Sequence, residues 1–133
     1  IRAAEAKTSG EIRLFAEDRC REEILDRSAF VFSKLGMHRT ALRNGVLFYL
    51  AIKDRKFAVL GDVGIHAAVD ADFWEGIKAA VHDFFARGDF TGGLVAGITM
   101  AGDTMKNAFP RKPGDVNELP DDIVFGRDPE QTV

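Results

Sequence analysis

Apolar positions recur along this chain at two spacings, one that suits strands and one that suits helices. Residues 11–16 (EIRLFA) alternate, with Ile12 and Leu14 on one face and Glu11, Arg13 and Phe15 on the other. This predicts a strand with one partly polar face. Residues 44–52 (NGVLFYLAI) are apolar on both alternations after the first two, the pattern of a central strand covered on both faces. Residues 57–60 (FAVL) follow a short polar turn at 53–56, so the second and third strands form an antiparallel hairpin. Helical spacing links Cys20, Ile24, Ser28, Val31 and Leu35, with Phe32 widening the stripe. A helix is therefore expected from Asp18, stopped by Gly36. Phe73, Ile77, Val81 and Phe84 line a second helix over 70–86, with Asp72 and Glu75 as a capping box and Gly88 as its stop. Leu94, Ile98, Ala101, Met105 and Ala108 line a third over 91–109, where Gly93 and Gly97 allow close packing. Residues 1–7 read as the last turns of a helix, broken at Thr8-Ser9-Gly10.

Strands alternating with helices predict an α/β fold, a three-layer α/β/α sandwich with a mixed central sheet. One domain is expected over residues 1–109, followed by a C-terminal tail over 110–133 that is rich in Pro, Gly and Asp. Apolar residues within 117–125 are expected to pack that tail on the body. Composition narrows the picture. The chain has 133 residues, 46% hydrophobic and 29% charged, enough for a core. A formal net charge of −3 does not supply the positive field of nucleic-acid binding, so no nucleic-acid partner is expected. No apolar run reaches the length of a membrane span, and no charged-then-apolar leader opens the sequence. A cytoplasmic location is expected, with whatever precedes Ile1 left open. The single cysteine, Cys20, rules out an internal disulfide and is expected to be a buried core thiol.

Chain direction carries the functional reading. The first strand reaches the second through a helix, which implies a parallel pair, and the third strand runs back. The starts of the first two strands and the end of the third therefore share one end of the sheet. Thr8-Ser9-Gly10-Glu11, Arg43-Asn44-Gly45 and Gly61-Asp62-Val63-Gly64 meet there. Glu11 and Asp62 offer carboxylates and Asn44 an amide oxygen, the donors that hard cations such as Ca²⁺ and Mg²⁺ take. Ser9, Arg43, Asn44, Gly61 and Gly64 are candidates for contact with an anion or substrate, since a short helix opening at Gly64 would present amide hydrogens. Plainer roles stand beside these. Asp62 also suits a turn cap, and Glu11 a surface pair with Arg13 or Arg43. His38, His66 and His82 have no cysteine partner and are not expected to ligate zinc. Ser9, His66 and Asp62 can be drawn as a hydrolytic triad, but no nucleophile-elbow pattern accompanies them. Asp121 and Asp122 are candidates for a tail that closes over the site.

These residues also carry a resemblance. Thr8-Ser9-Gly10-Glu11-Ile12, Leu35-Gly36-Met37, Arg43-Asn44-Gly45-Val46-Leu47, Asp54-Arg55-Lys56-Phe57-Ala58 and Gly61-Asp62-Val63-Gly64-Ile65 resemble the TPM domain family. Phe90-Thr91-Gly92-Gly93-Leu94 and Asn117-Glu118-Leu119-Pro120-Asp121-Asp122-Ile123 look like its short, single-domain bacterial branch. The resemblance implies an α/β/α sandwich and, in several members, binding of a divalent metal, mostly calcium. It also implies weak acid-phosphatase activity in plant relatives, and assembly or repair of membrane complexes in others. The chain departs from the membrane-tethered members, with no transmembrane segment and no Gly/Ser-rich tail. The expectation is a soluble binding or assembly-assisting module that takes Ca²⁺ or Mg²⁺ through Glu11 and Asp62. The alternative is a weak metal-dependent phosphatase acting on phosphate monoesters, in which Arg43 balances charge and Glu11 or Asp62 positions a water. The protein partner or phosphate-containing ligand is not identified by the sequence.

Overall fold

In the computed structural model, which describes residues 1–5, 8–111 and 123–126, two fully buried parallel strands form the middle of the protein. The elements run α1 (Arg2–Glu5), β1 (Glu11–Glu17), α2 (Ile24–Lys34), a 3-10 turn at Met37–Arg39, β2 (Gly45–Ala51), β3 (Lys56–Gly61), α3 (Val63–Ala68), α4 (Ala71–Ala86), α5 (Phe90–Ala108) and β4 (Val124–Phe125). Among the described residues the sheet has four strands in the order β3-β2-β1-β4. β1 and β2 are parallel, in register from Glu11↔Gly45 to Glu17↔Ala51. β2 and β3 form the expected antiparallel hairpin.

Side chains of β1 and β2 feed two cores, one on each face of the sheet. Ile12, Leu14, Val46 and Phe48 pack with Phe73, Ile77, Val81, Ile98 and Met105 of α4 and α5. Phe15, Leu47 and Tyr49 pack with Val31 and Phe32 of α2. Cover on both faces gives the three layers, and it is why the β2 sequence is apolar at both alternations. Gly97 lets α5 approach α4 closely: a Cβ there would lie 2.8 Å from Val81 Cγ2.

The second face of β1 departs from the sequence expectation. It is not a partly polar surface: Glu11, Arg13 and Glu17 are all buried. A buried charge needs a partner, and α2 supplies one. Arg27 Nε donates to Glu17 Oε2 at 2.8 Å and Nη2 to Oε1 at 3.0 Å. The Tyr49 hydroxyl donates to the same Oε2, and its ring stacks on Phe15 at 5.9 Å. Burial, and then the bond to Glu17, hold the Tyr49 phenol well above its usual range, so it stays a donor. Burial by itself would lower the Arg27 guanidinium. The Glu17 bond and charge outweigh that, and the net direction is upward.

Helix α2 starts at Ile24, not at Asp18, because the β2–β3 turn claims the intervening chain. Ile52 and Lys53 N–H groups donate to the carbonyls of Glu17 and Asp18 at 2.8 and 2.7 Å, and Cys20 N–H donates to Asp54 Oδ2 at 2.7 Å. Cys20 is nonetheless buried, its Sγ donating to the Glu22 carbonyl at 3.2 Å. Helix α4 is capped by Asp70, whose Oδ1 accepts from Phe73 N–H at 3.3 Å, rather than by an Asp72–Glu75 box. The outer edge of β1 is closed in two ways. Glu5 Oε2 takes the Ile12 N–H at 2.5 Å, and β4 pairs in parallel at Phe15 and Ala16. Of the tail, Val124 and Phe125 thus form a short edge strand on β1. Residues 117–122, with Asp121 and Asp122, lie outside the described residues.

Replacing Arg27 by Ala strands the Glu17 carboxylate in the core. Urea unfolding should show a loss of about 3–5 kcal/mol, the usual effect of breaking a buried pair on one side. A loss below about 1 kcal/mol would mean that α2 does not depend on the pair.

Candidate functional site

The three segments expected to converge do so around the entry to β2. Gly45 is the register partner of Glu11, and its carbonyl accepts the Asp62 N–H at 2.9 Å. The Asn44 carbonyl accepts the Glu11 N–H at 3.3 Å. The Arg43 carbonyl accepts the Gly64 N–H at 2.8 Å. A parallel pair followed by a hairpin thus laces β1, β2 and the β3–α3 junction together through consecutive residues, Arg43, Asn44 and Gly45.

Asp62 is held by both a side chain and a backbone amide. Arg43 grips it as a fork, Nε to Oδ2 at 2.6 Å and Nη2 to Oδ1 at 2.8 Å. Oδ1 also accepts the Val63 N–H at 2.8 Å and so caps α3. The carboxylate is 5% exposed and the Arg43 side chain 48% exposed, so the pair presents a guanidinium to solvent from a buried anchor. The hydrogen bond to Asp62 raises Arg43 above its ordinary value. Arg43 reaches this place from a left-handed backbone, φ 52°, a region that side chains other than Gly and Asn rarely occupy.

Asn44 is 1% exposed. Its backbone groups are satisfied, with its N–H donating to Thr40 Oγ1 at 3.1 Å. Among the described residues, neither its Oδ1 nor its Nδ2 has a hydrogen-bond partner, an uncommon state for a buried amide. Glu11 is buried at the start of β1, so it is no surface ion pair.

The remaining candidates also have packing or hydrogen-bonding roles. Gly61 lies against Trp74, and a Cβ there would be 2.4 Å from the indole. Gly64 lies against the chain entering β2, and a Cβ would be 2.1 Å from the Leu42 carbonyl. The first amides of α3 are already used, by Asp62 and by the Arg43 carbonyl. Thr8 and Ser9 join β1 to the end of α5: Thr8 Oγ1 lies 3.0 Å from the Met105 carbonyl, and Ser9 N–H donates to Phe109 at 2.8 Å. His66 packs its ring on Trp74 at 5.0 Å. With Asp62 bound to Arg43, no Ser9–His66–Asp62 relay forms. Among the described residues, no group of three or more His, Cys, Asp or Glu side chains is gathered for a metal.

Sequence reading missed a cavity of about 580 Å³ on the helical side, lined by Val69, Asp70, Phe73, Met100, Thr104 and Asn107. The signal was the helical spacing of Met100, Thr104 and Asn107 along one face of α5. Gly64→Ala tests the packing of the site itself. The obstructing atom is backbone, so the substitution should lower stability by about 1–3 kcal/mol in a thermal or urea melt.

Three comparisons bear on what this arrangement is. No helix among the described residues is long and apolar enough to cross a membrane. A search of curated proteins returned no match. Among solved structures, the NMR structure of BA42 protein from the psychrophilic bacterium Bizionia argentinensis matches with a TM-score of 0.90 and 44% identity, over 95% of this chain and 87% of that one. The family model for the TPM domain matches residues 1–104. The parallel β1–β2 pair and the hairpin are therefore part of a TPM-domain fold, and the chain belongs to that family.

Proposed function

We propose that this TPM domain is a binding module whose ligand is a divalent cation, Ca²⁺ or Mg²⁺, taken at the Asn44–Asp62 junction. The observation that carries the reading is the buried Asn44 amide, unpartnered among the described residues, between Arg43, which binds the Asp62 carboxylate, and Gly45, which binds its backbone. Carboxylate and amide oxygens are what a hard cation takes. Asp62 and Asn44 hold the ion, and Glu11, whose amide bonds the Asn44 carbonyl, is the further carboxylate of the cluster. Arg43 competes with the cation for Asp62. Cation binding therefore releases a guanidinium toward solvent, and a partner with anionic groups docks on it.

The phosphatase alternative has less support. Of the two carboxylates that could position a water, Asp62 already bonds Arg43 and the Val63 amide, which leaves Glu11 for that role. The released Arg43 suits recognition of an anion better than activation of a nucleophile.

The test is thermal unfolding of EDTA-stripped protein with added calcium or magnesium. A ligand that binds only the folded state raises Tm with concentration. Asp62→Asn should abolish most of the rise and Glu11→Gln part of it, while Arg43→Gln should increase cation affinity by removing the competitor. No shift at millimolar cation, or weaker binding by Arg43→Gln, would contradict the reading.

A further inference from the structure

Among the described residues, the non-glycine residues with positive φ are both arginines, Arg43 at 52° and Arg55 at 54°. The left-handed region is strained for such side chains. Arg43 uses its position to grip Asp62. Arg55 closes the β2–β3 turn, its N–H donating to the Ile52 carbonyl at 3.3 Å. That turn is pinned by Asp54, which accepts from Cys20 N–H at 2.7 Å and from Arg19 at 3.2 Å. Glycine or asparagine would fit the turn with less strain. Among the described residues, Arg55 has no ion-pair partner.

Arg55 instead lines a cavity of about 630 Å³, together with residues of β3 and α4. Phe57, Val81 and Phe85 line its apolar part, and Lys78 and His82 stand with Arg55 at its polar part. Phe57 packs against the rings of Phe48 at 6.0 Å and Phe85 at 5.9 Å. Glu75 contributes the opposing charge, 3.8 Å from Lys78, and both of those side chains are well exposed. A cavity of this size, apolar within and bearing a few convergent polar groups, is the usual form of a small-molecule site. The β2–β3 turn lies at the opposite end of the strands from Asp62, so this site is separate from the cation junction.

We infer that the cavity binds a small amphiphilic carboxylate, with the aliphatic or aromatic body against Phe57, Val81 and Phe85 and the carboxylate on Arg55 and Lys78. Guanidinium and ammonium groups both donate to a carboxylate, and the rim of two cations against one carboxylate leaves net positive charge for it.

Calorimetric titration with decanoate, below its micellar concentration, tests this, with decanol as the neutral comparison. The expected result is saturable one-to-one binding of decanoate and weaker binding of decanol. Arg55→Gly separates ligand contact from structure: decanoate affinity should fall about two- to fivefold, the span of an exposed ion pair, while Tm stays equal or rises as strain is relieved. Lys78→Gln, on the exposed face of α4, should give a fall of similar size. Asp62→Asn should bind decanoate as the parent does, which keeps this result independent of the cation reading. The inference is overturned by absence of saturable binding, by equal affinity for decanol, by unchanged affinity in Arg55→Gly, or by a Tm that falls in that variant.

Discussion

A strand buried on both faces must satisfy its polar groups from inside the protein, and β1 is such a strand while carrying Glu11, Arg13 and Glu17. Much of the surrounding architecture answers that constraint. Arg27 comes from α2 to neutralise Glu17, and Tyr49 crosses from β2 to fill a further acceptor site on the same oxygen. The Glu5 carboxylate stands in for a neighbouring strand at Ile12, and β4 supplies a real one at Phe15 and Ala16. Such pairs add less net stability than apolar packing would, but losing one partner is expensive. The charged groups therefore fix where α1 and α2 sit more than they raise overall stability.

The same topology assembles the candidate site at one end of the sheet. Because β1 and β2 are parallel and β3 returns, Glu11, Asn44 and Asp62 arrive together from distant parts of the sequence. The junction is closed by side chain as well as backbone: Asp62 caps α3 and holds Arg43. In the proposed reading, this half-exposed arginine held by a buried carboxylate is the contact that a competing cation would open. At the other end of the hairpin, Arg55 has a similar backbone strain but faces a cavity instead of a carboxylate.

The apolar double alternation of β2 and the spacing of Phe73, Ile77 and Val81 made the layers legible in the sequence, because burial selects those patterns directly. The convergence at the site was legible from strand direction alone. The polarity of β1 misled, since alternation of charged and apolar residues reads as one solvated face unless the partner across the layer is known, and Arg27 lies on a different element. α2 starts later than the helical spacing at Cys20 predicts, because Asp54 takes the Cys20 N–H. At Gly61 and Gly64 the close approach of Trp74 and of the Leu42 carbonyl leaves no room for a Cβ, a packing constraint that sequence spacing does not show. The pairing of Arg43 with Asp62 and the unpartnered Asn44 amide depend on side-chain geometry that no spacing rule encodes.

The central claim is that a divalent cation and Arg43 share Asp62. The most direct measurement is the Arg43 Nε–Hε resonance in a ¹⁵N-correlated NMR spectrum during calcium titration of metal-free protein. The account predicts that this signal moves from a hydrogen-bonded to a solvent-exchanging position as the ion binds, in step with the Asn44 side-chain amide. An Arg43 signal that stays fixed while calcium saturates the protein would place the cation elsewhere and contradict the account.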